Sequence, residues 1–181
     1  GALAEEKGGS MTESRDIYEM KCMTDILAWC ENTGRSYWEY VEQCEDSDLW
    51  DYLAEVWRVM KESVQRGLDN EGVLPGPLNL RRKAYSYFIR ASGYKQSLQS
   101  RALVFAYALA VSEENAAGGV IATAPTCGSC GVMPAVLFHL QKTREFSDTR
   151  ILRALATAGL IGNIVKENAS ISGAEVCCQG E

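Results

Sequence analysis

Apolar residues recur at intervals of three and four along most of the chain, the period of α-helices that lay one face on a core. Ile17, Met20, Thr24, Leu27 and Ala28 share such a face, on a helix expected to end near Gly34. Ser36 and Glu39 have the spacing of a capping box, so a second, short helix opens there. A third, with Ser47 as its expected cap, carries the stripe Leu49, Leu53, Val56, Trp57, Met60 and Val64. Pro75 and Pro77 flank Gly76 and forbid a helix, which marks the clearest boundary in the chain. Beyond it, residues 81–91 predict a helix stopped by Gly93. Residues 97–115 predict another whose middle, 103–111, is apolar on every face and therefore expected to be central and buried. Gly118 and Gly119 end that helix, and residues 120–123 read as a short β-like segment leading into a loop of small residues, 124–131. A helix over 133–141 tolerates Pro134 in its first turn, where the missing amide costs little. Ser147 then caps a last long helix, 148–166, whose Ala154, Ala156, Ala158, Gly159 and Gly162 would permit close helix contacts.

No alternating strand pattern of useful length, internal repeat or low-complexity tract interrupts this series. The expected fold class is mainly α, a helical bundle-like domain with glycine-rich loops. Three parts are expected: a tail or vector-derived remnant over 1–13, an acidic helical segment over 14–73, and a second helical segment over 74–181.

With 181 residues, 46% of them apolar and 23% charged, the chain is long enough to bury a substantial core without disulfides. Its longest apolar run, 154–165, is shorter than the roughly 20 residues a bilayer span requires. No charged-then-apolar signal segment opens the chain, so a cytoplasmic protein with no membrane partner is expected. The net charge of −6 is uneven: residues 1–75 carry −10 and residues 76–181 carry +4. A basic excess that small, centred on Arg81, Arg82 and Lys83, argues against nucleic acid and suits a small anionic ligand.

Seven cysteines at irregular spacing, without a secretory signal, read as reduced thiols rather than a disulfide framework. Cys22, Cys30 and Cys44 sit on helices as small hydrophobes. Cys127 and Cys130 have the spacing of a zinc or iron–sulfur half-site, but a thioredoxin-like dithiol would need a βαβ context that is absent. His139, the only histidine, excludes multi-histidine metal sites and reads as structural. Three segments combine glycine with polar or sulfur side chains and lack a packing period: 72–77, 123–131 and 166–181. Thr123, Thr126 and Ser129 would add hydroxyl donors suited to a carboxylate.

Four stretches then occur together: Glu71-Gly-Val-Leu-Pro-Gly-Pro-Leu, Asn115-Ala-Ala-Gly-Gly, the loop from Thr123 through Gly128 and Gly131 to Leu137, and Lys166-Glu-Asn-Ala-Ser-Ile-Ser-Gly-Ala-Glu-Val-Cys-Cys-Gln-Gly-Glu181. With them the chain resembles the α chain of the iron–sulfur L-serine dehydratases, over most of its length from about Ser14. The resemblance implies a lyase that converts L-serine to pyruvate and ammonia with an oxygen-sensitive 4Fe-4S cluster and no pyridoxal phosphate, in amino-acid degradation and gluconeogenesis. In that family three cysteines hold the cluster and leave one iron open to substrate. The first of them corresponds to Cys178, and the other two would lie beyond Glu181. The expectation is therefore an apo fragment, incomplete at its C-terminus, with a β chain as partner and an oligomer as the working form.

By the same resemblance Thr126 and Gly128, within the 125–131 loop, bind the substrate carboxylate, and Asn168, Ser170, Ser172 and Gly173 contact substrate or cluster. Lys166 or Glu175 serves as the base, although a helix-end salt bridge or cap explains either residue as well. Cys127, Cys130 and Cys177 depart from the family pattern. Three alternatives stand beside this expectation: a related cluster enzyme acting on cysteine or another β-substituted amino acid, a non-enzymatic helical subunit, and a zinc module built on Cys127, Cys130 and Cys178.

Overall fold

The computed structural model of the chain describes residues 17–123 and 127–168. They form seven α-helices: α1 (Met23–Thr33), α2 (Tyr37–Cys44), α3 (Leu49–Asp69), α4 (Ala84–Ser92), α5 (Gln96–Ala116), α6 (Val132–Arg144) and α7 (Asp148–Asn168). The described residues contain no strand, and their single β-type pairing is an isolated bridge between Val73 and Arg81. The mainly α expectation holds.

Helix α1 starts later than its apolar pattern suggests. The backbone amide of Met20 donates to the Tyr40 hydroxyl at 3.3 Å and the Tyr18 hydroxyl donates to Glu45 at 2.5 Å, so residues 17–21 spend their polar groups on α2 and its end rather than on a helical turn. The helix stops at Gly34, whose φ of +70° takes the left-handed cap that favours glycine. The Ser36/Glu39 capping box opens α2 as expected, whereas α3 begins behind Asp48 rather than Ser47. Trp57 and Val64 are almost fully buried on α3, worth about 1.5–3 kcal/mol each for an aliphatic or aromatic side chain.

Central α5 packs against α3, α4 and α6, while α7 packs on α2 and α3. One core cluster joins residues from both sides of the Pro75/Pro77 boundary, including Trp57, Val64, Tyr107, Val111, Phe138 and Leu160. Three expectations need correction. Helix α5 is not buried all round: Ala106, Tyr107, Ala110 and Val111 lie inside, but Phe105 is 53% exposed, because α3, α4 and α6 leave one of its faces open. Gly159 and Gly162 of α7 do not seat a closely crossing helix, since a Cβ at either would meet nothing within 4 Å among the described residues, whereas Ala156 is buried in the core. Residues 120–123 make no strand either, because no neighbouring backbone runs alongside them.

His139 is a packing residue, as its sequence context implied. Its Nε2 lies 2.6 Å from Ser100 Oγ and its ring sits against Tyr107. Burial pushes the imidazole below its usual value, so the folded state binds fewer protons there than the unfolded chain does. This stability is present above the unfolded value of 6.5 and is lost as pH falls through the lower, folded value. Urea midpoints measured from pH 7.5 downward should therefore fall below pH 6.5 in the wild type, and His139→Gln should flatten that portion of the curve.

Candidate functional site

Three of the motif-bearing segments meet at the C-terminal end of α5, and the meeting is built from consecutive polar residues on that helix. Glu113 is 4% exposed and accepts backbone hydrogen bonds from Lys83 (2.6 Å) and Ala84 (3.3 Å), which caps the start of α4. Glu114, equally buried, accepts from Arg82 Nη1 at 2.9 Å, Arg66 Nε at 3.2 Å and Asn70 Nδ2 at 3.2 Å. Asn115 donates through Nδ2 to the backbone carbonyl of Cys127 at 3.2 Å. Burial alone would raise the Glu114 carboxyl. Hydrogen bonds from Arg82, Asn70 and Arg66, with the Arg82 charge, outweigh it and hold that carboxyl below the ordinary glutamate value.

The loop between α3 and α4 folds back on itself before it reaches this point. Leu74 donates to the Leu80 carbonyl at 2.7 Å and Arg82 to the Gly72 carbonyl at 2.9 Å, with Gly76 at φ +117° between the two prolines. That is why α4 starts at Ala84 and not at Arg81: the arginines are held in the loop. On the other side, Gly118 takes φ +77° and turns the chain out of α5, and Gly119 donates to the Glu114 carbonyl at 2.8 Å. Arg66 also donates to the Val120 carbonyl, so a single guanidinium bridges α3, Glu114 and the outgoing segment. Residues 127–131 then make a tight turn, Val132 donating to the Ser129 carbonyl at 2.9 Å, and lead directly into α6.

Behind this junction an open groove follows α7. Two adjoining spaces of about 460 and 390 Å³ share Thr123, Leu155, Gly159 and Gly162 on their walls. Ser129 and Cys130 line the first, Lys166 and Asn163 the second. A third space of about 270 Å³ continues past Lys166 to Tyr18 and Glu45. Burial and the bond to Glu45 push the Tyr18 phenol above its usual range, so it stays a hydrogen-bond donor. Lys166 and the turn containing Ser129 thus stand on one groove although they lie far apart in sequence. The small side chains of α7 are what keep that groove open.

Of the residues singled out for chemistry, Gly128, Lys166 and Asn168 lie within the described part of the chain. Gly128 is exposed in the 127–131 turn, and Lys166 is exposed on the last turn of α7. Asn168 uses its Nδ2 on two backbone carbonyls, Lys21 at 2.8 Å and Ile164 at 2.9 Å, which ties the end of α7 to the segment before α1. Thr126, Ser170, Ser172, Gly173, Glu175 and Cys178 lie outside the described residues, as does Cys177. Among the described residues no group of three or more histidine, cysteine, aspartate or glutamate side chains could hold a metal ion. Cys127 is exposed and Cys130 buried, and neither is in a disulfide. The cluster ligand that the resemblance assigns to this chain, Cys178, is not among these described donors. Arg66, Glu113 and Glu114 stand outside the sequence motifs, and Arg82, part of the basic excess read as suiting a small anionic ligand, is instead paired with Glu114. A pair of glutamates at the end of an apolar helix, with arginines some thirty to fifty positions away, was the available signal.

A serine dehydratase alpha chain family model matches residues 6–181. The chain belongs to that family. It is 48% identical over 195 aligned positions to the L-serine dehydratase TdcG of Escherichia coli K12, an alignment covering all of this chain and 43% of that protein. The L-serine dehydratase of Streptomyces coelicolor is 46% identical, and L-serine dehydratase 1 of Escherichia coli K12 is 43% identical, each over 91% of this chain and 38% of the relative. The chain spans about two fifths of the length of these relatives. No described helix of this family member is long and apolar enough to cross a membrane.

Proposed function

We propose that this chain is part of an L-serine dehydratase, a cytoplasmic lyase that removes water and then ammonia from L-serine to give pyruvate. The observation that carries this is identity of 43–48% to proteins named L-serine dehydratase over 91–100% of the chain. The junction at the end of α5 supports it, because three of the four stretches on which the resemblance rests, 71–78, 115–119 and the described part of 123–137, adjoin there.

β-Elimination from serine needs a held carboxylate, an acceptor for the Cα proton and help for a poor leaving group, hydroxide. The loop containing Thr126 and Gly128 would hold the carboxylate with hydroxyl and backbone donors. Lys166 or Glu175 would take the Cα proton, and Asn168, Ser170, Ser172 and Gly173 would complete the contacts. Cys178 is the thiolate this chain would contribute to a 4Fe-4S cluster. A cluster with an open iron supplies Lewis acidity toward the serine hydroxyl, which makes pyridoxal phosphate unnecessary. The aminoacrylate released by elimination tautomerises and hydrolyses to pyruvate and ammonia in water. A β portion and an oligomeric enzyme complete the proposal.

The test is pyruvate formation from L-serine under anaerobic conditions after reconstitution with iron and sulfide. It uses a dehydratase polypeptide of the relatives' length carrying this stretch, together with its β portion. Oxygen-sensitive activity supports the proposal. An intact cluster spectrum with no turnover of L-serine, but turnover of L-cysteine, would overturn the substrate assignment.

A further inference from the structure

Glu113, Glu114 and Asn115 each hold a different element: Glu113 the start of α4, Glu114 the arginines of α3 and of the 70–83 loop, and Asn115 the turn at 127–131. The two glutamates face inward and are 4% exposed, whereas Asn115 is only half-buried and donates through Nδ2 to the Cys127 carbonyl. That carbonyl is also the acceptor for the Cys130 amide at 3.4 Å, so the asparagine donates to the atom around which the turn closes. Gly131, at the end of the same turn, is pressed against α5 so closely that a Cβ there would stand 3.1 Å from the Ala108 carbonyl carbon and collide with its oxygen. The turn is therefore pinned to α5 at both ends, by close backbone contact at Gly131 and by the Asn115 amide at Cys127. Only the second pin is a side chain that can be removed without disturbing the core.

We propose that Asn115 is a positioning residue that sets the 127–131 turn at the distance and angle needed to hold a small carboxylate ligand, acting through the turn and not on the ligand itself. The ligand class rests on the dehydratase proposal; the pin does not. A turn that binds the carboxylate equally in ground state and transition state contributes uniform binding, and loosening it raises KM more than it lowers kcat. One neutral hydrogen bond at a half-buried site is a small part of a domain's stability, so folding should be spared.

The experiment compares Asn115→Ala, which removes the donor without adding charge, with Asn115→Asp, which keeps the shape. In the complete reconstituted dehydratase, both should raise KM for L-serine by about tenfold or more, the size expected when an orienting contact is lost. The value of kcat should stay within about twofold and the melting temperature should not change. An unchanged KM in Asn115→Ala overturns the proposal, and so does a rise confined to Asn115→Asp, which would be charge repulsion alone. A wild type that makes no pyruvate speaks against the dehydratase reading and not against the pin, which is then read by hydrogen exchange in the 181-residue chain. Faster exchange at the Cys130 and Val132 amides in both variants, with α3 unaffected, supports the pin; unchanged exchange overturns it.

Discussion

Replacing Glu114 with glutamine should cost about 3 kcal/mol of folding stability, the low end of what removing one partner of a buried ion pair costs. The carboxylate is 5% exposed and accepts from two arginines and an asparagine that reach it from α3, from the chain just after α3 and from the loop before α4. A glutamine keeps the volume but removes the charge. It leaves Arg82, whose side chain is 10% exposed, without a counter-charge in a poorly solvated place. Arg66 is 37% exposed and recovers part of its loss from water, which is why the low end applies. Urea titration at pH 7 measures the effect, with Arg58→Ala as the comparison: that residue's pairs with Glu55 and Glu62 are about half exposed and their loss should go undetected. A Glu114 variant as stable as Arg58→Ala would show that the junction is incidental to the fold. The acid limb gives a second check. Because the Glu114 carboxyl is held below its ordinary value, its contribution is present above the unfolded value of 4.5 and lost as pH falls through the folded one, and Glu114→Gln should remove it.

An alanine at Gly67 should be comparably damaging for a steric reason. A Cβ there would stand 2.5 Å from the carbonyl carbon and 2.8 Å from the Cα of Ala110, and would overlap the carbonyl oxygen. The obstacle is the backbone of α5, which no rotamer change can move aside. Overpacking a tight core costs about 1–3 kcal/mol, and the top of that range, about 3 kcal/mol, applies where two helices must separate. That loss exceeds the ~1 kcal/mol by which alanine betters glycine in a helix interior. The net loss of about 2 kcal/mol should lower the melting temperature of a domain of this size by roughly 4–8 °C. Gly159→Ala provides the opposite sign. No described residue lies within 4 Å of the added atom, so the helix-propensity gain of up to ~1 kcal/mol should appear as a higher melting temperature. Equal effects at the two positions would mean that α3 and α5 do not cross at Gly67.

Sulfur chemistry and packing separate cleanly in the first half of the chain. Cys22 bonds Thr24 and Asp25 locally, and burial, before the charges of Glu39 and Glu31, pushes the Cys30 thiol up, as it does Cys44. Cys30 and Cys44 are thiols kept protonated, in keeping with their expected place on helices as small hydrophobes, whereas Cys22 stands just before α1 and bonds polar side chains instead.

The sequence by itself determined the helices, because the signals for them are local. A 3.6-residue apolar period, the Ser36/Glu39 box, Gly34 and Gly93 at helix ends and the Pro75/Pro77 interruption each act within a few residues of where they stand. Where boundaries moved, a non-local partner took the backbone: Tyr40 and Glu45 for residues 17–21, Gly72 and Glu113 for residues 81–83. The motifs that mark the family were equally legible, as strings. Only the tertiary structure decided what those strings do to one another. The period of α5 identifies an apolar cylinder but not which face stays uncovered, and the small residues of α7 look alike whether they admit a helix or border a groove. That Arg66 and Arg82 converge on Glu114, and that Asn115 reaches the turn after residue 126, depends on α3 and α5 crossing at Gly67. Such a crossing joins residues some thirty to fifty positions apart, and a one-dimensional pattern carries no term for contacts at that separation.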